Sequence, residues 1–357
     1  MNHADILVVG DGVVGLTTAL ALGEVGCRPR VVAAGQQRRT SASPDDGLIA
    51  PLPPWVFPEL VNRMRARSDR LLPDLVTSLG QATGVDCELR KWSLLLTGDL
   101  AAEGRSWLTR RNVAFRHGKV SEFEPGLALG ESEAIALEQI SDVRYGRLTR
   151  ALAIALPLRD VPVESHCQVV RLDVAGNIVL GVHLDNGRYI STDAVVLAAG
   201  AETNRLLFDS GLDPVQIDPP DAPQLLFNPD NRLISHMINV GEGYLVPRND
   251  GRILVGSLAG EEAFGYEALE ALMTRAGNWL PALSRYDLEA QAVAPRPGLA
   301  DGLPALGAYP QVRGLWINGG HFRCGLGIAP AAAELLAEQM TGGTIVRDLA
   351  VRLLKPS

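Results

Sequence analysis

Three glycines near the start of the chain have the spacing of a phosphate-binding turn. Gly10, Gly12 and Gly15 form the pattern G-x-G-x-x-G. In such a turn the first glycine permits a tight bend, the second lets a pyrophosphate approach the backbone, and the third lets a helix pack on a strand. The helix that follows directs its free N–H groups and the positive end of its dipole at the phosphates. The pattern therefore predicts a dinucleotide site, with Val13 and Val14 at the start of the helix.

The residues around these glycines predict the elements that would hold the dinucleotide. Ile6 to Val9 is an apolar run typical of a buried parallel strand, Leu16 to Gly23 continues as a helix, and Arg30 to Ala34 is a second strand candidate. This order makes the glycine pattern more specific, although a glycine-rich turn that binds nothing is the alternative. The second strand ends without the Asp or Glu that holds ribose hydroxyls in such folds.

The composition is that of a globular protein and disfavours several other classes. The chain has 357 residues, 46% hydrophobic and 21% charged, a length that suits one large domain or two interleaved ones. The formal net charge of −8 disfavours a nucleic-acid surface. No apolar run reaches the length of a membrane span, and the N-terminus lacks a signal-peptide pattern, so we expect a cytoplasmic protein. Four scattered cysteines give no support for a zinc site or a disulfide framework.

Later segments predict two kinds of sheet. Asp193 to Ala201 and Leu315 to Gly320 are apolar runs typical of parallel strands. Between them, Leu225 to Val240 alternates as in an antiparallel sheet, and the Asn-Asp-Gly turn at 249–251 predicts a hairpin. A last helix is expected to begin at Pro330, because proline is tolerated at the first helical position. The order of these elements predicts an α/β fold with two interleaved domains.

Three sequence blocks, taken together, resemble the D-amino-acid oxidase family of flavoproteins, especially its glycine oxidase branch. They are GDGVVG at 10–15, VVLAAGAETNRLL at 195–207, and RPGLADGLPALG from 296 followed by GLWINGGHFRCGLGIAPAAAELLA, which ends at 337. The third block is the most specific, because family members carry a close match to R-P-x-x-x-D-G-x-P-x-L-G followed by G-H-[FY]-R-N-G. The resemblance covers nearly the whole chain.

This resemblance implies FAD as the cofactor and a fold of the glutathione reductase type. A Rossmann-like FAD-binding domain (residues 1–50, 143–212 and 293–357) would be interleaved with an antiparallel-sheet substrate domain (residues 51–142 and 213–292). The implied reaction is oxidation of a small amino acid or amine, of the glycine, sarcosine or D-amino acid class, by hydride transfer to flavin N5. The resulting imine would hydrolyse to a keto acid and ammonia, with peroxide formed if oxygen is the electron acceptor.

The family pattern also implies roles for single residues. Arg296 and Arg323 would hold the substrate carboxylate and Tyr244 would hydrogen-bond it, because a guanidinium matches a carboxylate at two points and a phenol adds a directional donor. Each arginine taken alone could instead form an ordinary ion pair. His321 is either a catalytic candidate or a hydrogen-bonded structural histidine. The N–H groups of residues 325–330, before the last helix, would stabilise charge at the flavin's pyrimidine side. The positions expected to line FAD are Gly10, Gly12, Val13, Val14, Gly15, Ala33, Ser41, Ala42, Asp46, Gly47, Leu48, Val169, Ala199, Gly200, Gly320, His321, Phe322, Arg323, Cys324, Gly325, Leu326 and Gly327.

Some positions depart from the family pattern, mostly on the adenosine and pyrophosphate side. Ala33 stands where the family usually has Glu for the ribose. Asp45 and Asp46 stand where glycines usually lie against the pyrophosphate, and their charges would repel the phosphates unless they point away or nearby arginines offset them. Cys324 replaces the usual Asn beside the flavin, and we favour an inert contact because thiol reactivity requires a special environment.

These departures leave two alternatives to an FAD-dependent oxidase. One is a family member that binds FAD weakly or not at all and serves as a binding or scaffold subunit, because fold alone does not imply function. The other is a dehydrogenase with the same site that passes electrons to a quinone or a partner protein. The expected partners are a small amine or amino-acid substrate and oxygen or another electron acceptor. We expect no nucleic acid and no transmembrane segment, and an oligomer is compatible with the sequence.

Overall fold

The computed structural model describes residues 3–35, 53–218, 221–258 and 265–342. Six residues of the expected FAD-facing loop lie outside these ranges, so what we expect of them stays a prediction: Ser41, Ala42, Asp45, Asp46, Gly47 and Leu48. None of the described helices combines the length and the hydropathy that crossing a membrane requires.

Strands and helices alternate at both ends of the chain, and strands predominate in the middle. In chain order the elements are β1 (His3–Val9), α1 (Val13–Glu24), β2 (Pro29–Val32), α2 (Glu59–Thr83), β3 (Arg90–Thr97), α3 (Asp99–Arg110), β4 (Arg116–Lys119), α4 (Val120–Phe123), β5 (Glu133–Asp142), α5 (Tyr145–Ala155), β6 (Val163–Glu164), β7 (Val169–Ala175), β8 (Ile178–Leu184), β9 (Tyr189–Leu197), α6 (Thr203–Asp209), β10 (Asp221–Phe227), β11 (Met237–Asn239), β12 (Gly243–Pro247), β13 (Ile253–Ser257), α7 (Tyr266–Trp279), β14 (Leu288–Pro295), β15 (Ala305–Ala308), β16 (Leu315–Gly319) and α8 (Gly325–Met340).

The first sheet contains the glycine-rich turn at the end of its central strand. Its strands lie in the order β15, β16, β9, β1, β2 and β6, and β7 and β8 extend it beside β9. β1 is parallel to both β2 and β9, and β16 is parallel to β9. One face packs on α1 and α8, which α2 and α5 cover in turn, and a second apolar cluster covers the other face. This arrangement confirms the expected α/β fold with a parallel sheet behind the turn.

The second sheet is formed by the strands between these segments. Its order is β14, β10, β13, β12, β11, β3, β5 and β4. The Asn-Asp-Gly turn joins β12 to β13 in an antiparallel pair, as the sequence predicted. The antiparallel interpretation of residues 225–240 is wrong in part, because β11 pairs in parallel with β3 while pairing antiparallel with β12. That pairing joins residues far apart in sequence, so local alternation could not indicate it.

The last helix does not begin where the sequence predicted. α8 starts at Gly325, and Pro330 lies inside it and is buried. A proline at this position removes one hydrogen bond of the helix. A prediction from local sequence therefore places a helix boundary there. Here the next N–H, that of Ala331, donates to the buried Ser68 hydroxyl of α2 at 3.2 Å. The tertiary contact between α2 and α8 therefore accommodates the proline, and residues 325–330 form the first turns of the helix.

Candidate active site

The three glycines of the N-terminal turn meet different surroundings. Gly10 has φ +124°, and a Cβ there would lie 2.3 Å from the carbonyl oxygen of Ala198. A Cβ at Gly15 would lie 2.0 Å from the carbonyl oxygen of Gly10. Both glycines are therefore required by the packing of the protein itself. At Gly12 the nearest described atom to an added Cβ is the Tyr145 hydroxyl oxygen at 3.5 Å, an ordinary van der Waals contact, so the described residues leave room for a side chain or a ligand here.

The start of α1 has the features of an anion-binding helix terminus. The first N–H groups of any helix, here those of Val13, Val14 and Gly15, have no partner within it. The residue before the helix, Gly12, offers no capping side chain, and the first turn contains no acidic residue that would repel a phosphate. A pyrophosphate placed beside Gly12 would accept these hydrogen bonds. On the pyrophosphate side, the described residues therefore fit FAD.

The ribose side fits less well, as the sequence indicated. Ala33 follows β2 and is buried, and its N–H and carbonyl oxygen bond to the Glu164 carbonyl and the Cys167 N–H, respectively. The Glu164 carboxylate beside it is paired with Arg188 at 3.2 Å. An acidic side chain for the ribose is thus absent at position 33, and the effect of this departure on FAD binding stays a prediction.

Three other segments expected to contact FAD lie at strand ends of the first sheet or at the start of a helix. Val169 begins β7 and is buried. Ala199 and Gly200 follow β9, and Gly200 has φ +58°, which favours glycine. Gly325, Leu326 and Gly327 lie in the first turn of α8, and this turn contains no acidic residue. These placements are compatible with contacts to FAD, and the contacts themselves stay predictions.

Tyr244 and Arg296 are in direct contact. Tyr244 lies in the middle of the second sheet with 1% of its surface exposed. Its hydroxyl oxygen accepts a hydrogen bond from Arg296 Nη2 at 2.8 Å and another from Gln224 Nε2 at 2.9 Å. The sequence did not single out Gln224, because its place opposite Tyr244 depends on the register of three strands. An apolar cluster that includes Leu226 and Leu258 surrounds the phenol ring.

Arg323 lies close to this pair. It belongs to the short helical turn between β16 and α8, and one of its Nη atoms donates to the Leu258 carbonyl. Its Nε atom is buried and has no hydrogen-bond partner. Burial lowers the pKa of Arg323 to about 10, with a further decrease from Arg296 and an opposing effect of Tyr244. Within the described chain, neither Arg296 nor Arg323 has a carboxylate partner, so an anion placed between them would meet two uncompensated positive charges.

A backbone contact holds the two arginine segments together. The N–H of Phe322 donates to the Pro297 carbonyl at 2.7 Å, and Gly298 pairs with His321 in an isolated bridge. A Cβ at Gly298 would lie 2.7 Å from the Cβ of Phe322, so the close approach requires glycine. Gly320 has φ +66°, which turns the chain away from β16. The motif residues that the sequence separates into two blocks therefore form one structural unit.

His321 and Cys324 are both buried in this unit. His321 is 6% exposed, its Nε2 has no hydrogen-bond partner, and burial lowers its pKa to about 4. The imidazole is therefore neutral near pH 7. Cys324 is 5% exposed and its Sγ donates to the His321 carbonyl at 3.0 Å. Burial raises the pKa of this thiol to about 12, which supports the inert interpretation of Cys324.

Comparison with known proteins agrees with this geometry. The chain matches the family described as FAD dependent oxidoreductase over residues 5–339. It is 33% identical to a glycine oxidase of Pseudomonas putida over 354 residues and 32% identical to one of Pseudomonas aeruginosa over 352, and each alignment covers 96% of both chains. The crystal structure of glycine oxidase from Geobacillus kaustophilus has a TM-score of 0.85 at 23% identity and covers 100% of both chains. These matches do not favour the alternative of an FAD-free scaffold. The chain therefore belongs to the D-amino-acid oxidase family of FAD-dependent oxidoreductases.

Proposed function

We propose that the protein oxidises glycine or another small amino acid or amine that carries a carboxylate, such as sarcosine or a D-amino acid. The observation that carries this proposal is the partly buried hydrogen bond between Arg296 and Tyr244, 2.8 Å long, beside a second guanidinium at Arg323. Two partly buried cations without a carboxylate partner among the described residues favour a bound carboxylate, because removing a charge from water is costly unless the charge is paired. The glycine oxidases among the relatives support the same substrate class.

The residues of the chain would bind and orient the substrate. Arg296 and Arg323 would hold the carboxylate, and Tyr244 would add a hydrogen bond. The apolar residues around Tyr244 would exclude water and strengthen these contacts. The same positive charges lower the pKa of a neighbouring ammonium group, so they favour the neutral amine that oxidation requires. His321 is neutral and buried, and we assign it no proton transfer.

FAD, when bound, would supply the acceptor for the two electrons that leave the substrate α-carbon as a hydride, while the C–N single bond becomes an imine. The substrate imine would then hydrolyse, so that a primary amino acid, water and oxygen would give a keto acid, ammonia and hydrogen peroxide; sarcosine would release methylamine in place of ammonia. A quinone or protein acceptor would give the same organic products without peroxide. We further propose that oxygen is the electron acceptor and that the protein is located in the cytoplasm.

Purified protein provides a direct test. A flavin spectrum that is bleached anaerobically by glycine, sarcosine, proline or a D-amino acid is the expected result. With glycine or another primary amino acid as substrate, peroxide and ammonia should form in equal amounts when air is admitted. The Arg313→Met variant, which removes an arginine outside the site, should be bleached by the same substrates as the wild-type protein. Protein that holds no flavin and takes up none when FAD is added would refute the proposal. Anaerobic bleaching that is not followed by peroxide formation in air would indicate that the protein uses an electron acceptor other than oxygen.

A further inference from the structure

Gln224, Gly256 and Tyr244 lie side by side on three adjacent strands. Gln224 of β10 pairs with Gly256 of β13, which pairs with Tyr244 of β12. Adjacent strands are about 4.8 Å apart, so Gln224 and Tyr244 are separated by two strand spacings. The phenol bridges this distance by lying across Gly256, where a Cβ would come within 2.2 Å of the Tyr244 Cζ and hydroxyl oxygen. The direction of the phenol thus depends on a glycine in the intervening strand.

The hydrogen bonds at the phenol oxygen determine where its hydrogen points. The oxygen accepts one hydrogen bond from Gln224 Nε2 at 2.9 Å and one from Arg296 Nη2 at 2.8 Å. A phenol oxygen has two acceptor sites and one hydrogen, and a guanidinium can only donate. With both acceptor sites filled, the hydrogen must find a third group. Tyr244 is 1% exposed and Gln224 4%, so bulk water does not supply that group.

We propose that Gln224 is a positioning residue that, acting through Tyr244, directs the phenol hydrogen to the substrate carboxylate. The inference rests on the proposed function, which places that carboxylate beside Arg296 and Tyr244. With the opposite amide orientation, the Gln224 oxygen would accept the phenol hydrogen and leave an oxygen lone pair facing a carboxylate. The negative charge of the substrate therefore favours the orientation in which Gln224 donates. Gly256 has a supporting role, because it leaves room for the phenol to reach Gln224.

Two substitutions at position 224 separate this role from simple packing. Gln224→Met keeps the length of the side chain and removes the donor, so the KM for glycine should rise roughly 3- to 10-fold while kcat changes less than about 2-fold. Gln224→Glu introduces an acceptor that takes the phenol hydrogen and a charge that pairs with Arg296, so its KM should rise further. The control is Gln291→Met, an exposed glutamine on the neighbouring strand β14, which should leave KM unchanged. Melting temperatures of all variants identify any loss of folding.

A double-mutant cycle with Tyr244→Phe tests whether Gln224 acts through the phenol. If it does, Gln224→Met should have little further effect on KM in the Tyr244→Phe background. Acetate, which has a carboxylate and no amine, provides a readout that needs no turnover: its Kd, measured from the flavin spectrum, should rise for Gln224→Met by the same factor as KM.

The possible outcomes distinguish this inference from the proposed function. A wild-type protein that neither oxidises an amino acid nor binds acetate would overturn the proposed function and, with it, this role. A wild-type protein that does both, combined with a Gln224→Met variant of unchanged KM and acetate Kd, would overturn the role of Gln224 alone. Equal effects of Gln224→Met with and without the Tyr244 hydroxyl would also overturn it.

Discussion

Replacing Gly12 with alanine should weaken FAD binding and leave the fold nearly intact. Gly12 has φ −71°, which alanine adopts without strain, and among the described residues a Cβ there would contact only the Tyr145 hydroxyl, at 3.5 Å. We expect the unfolding free energy without FAD to change by less than about 1 kcal/mol, the size of a helix N-cap substitution. With FAD bound, the methyl group would occupy the space of the pyrophosphate. Such overpacking costs about 1–3 kcal/mol, which corresponds to a rise in the FAD Kd of roughly 5- to 150-fold.

Gly10→Ala is the matched contrast on the same turn. Its φ of +124° and the 2.3 Å approach to the Ala198 carbonyl oxygen forbid a side chain. We expect a loss of roughly 3 kcal/mol or more in stability even without FAD. Gly277→Ala in α7, where an added Cβ meets no atom within 4 Å, is the control and should be neutral or slightly stabilising.

The assay combines thermal unfolding of the apoprotein with FAD titration followed by flavin fluorescence. The reasoning is refuted if Gly12→Ala binds FAD with wild-type affinity, because the pyrophosphate would then not lie against this residue. It is also refuted if Gly10→Ala and Gly12→Ala lower the stability of the apoprotein equally.

Three further predictions concern the unit around the arginines. Arg296→Met should raise the KM for glycine roughly 10- to 150-fold, the value of charged hydrogen bonds, with FAD content unchanged; loss of flavin instead would mean that the residue supports the cofactor. His321→Gln should reduce the dependence of stability on pH. Since the pKa of His321 falls from 6.5 unfolded to about 4 folded, the unfolded chain binds more protons between these values, and roughly 3 kcal/mol is lost as the pH falls through that window. Urea unfolding of both proteins from pH 7 to 4 measures it, and parallel curves would contradict the neutral buried imidazole. In native protein at pH 8, Cys324 should resist iodoacetamide because its pKa is about 12; rapid labelling located by peptide mapping would contradict its burial.

The sequence predicted those parts of the molecule that local patterns specify. The strand, glycine turn and helix from residue 3 to 24 follow from apolar periodicity and glycine spacing. The β12–β13 hairpin follows from its Asn-Asp-Gly turn. The start of α8 was missed because the contact between Ala331 and Ser68 of α2, which accommodates Pro330, joins distant segments.

The candidate site could be predicted only in part for the same reason. Arg296, Arg323 and Tyr244 were found through family motifs, and the structure brings them together through the pairing of Pro297 with Phe322 and the contact with the phenol. Gln224 carries no motif, and only the register of β10, β13 and β12 places it opposite Tyr244. Register is set by long-range packing, so residues of this kind have no local signal.

The central position of β1 has a consequence for the order in which the chain matures. β1 is made before its partner β9, which ends at Leu197, and α1 is made before α8, which ends at Met340 and against which it packs. During synthesis one edge of β1 therefore stays unpaired until β9 has been made, and the apolar face of α1 stays uncovered until α8 has been made. Contacts between such distant segments form slowly and leave partly folded states prone to aggregation. We therefore expect FAD to bind after these contacts have formed and to stabilise the folded chain by binding the native state.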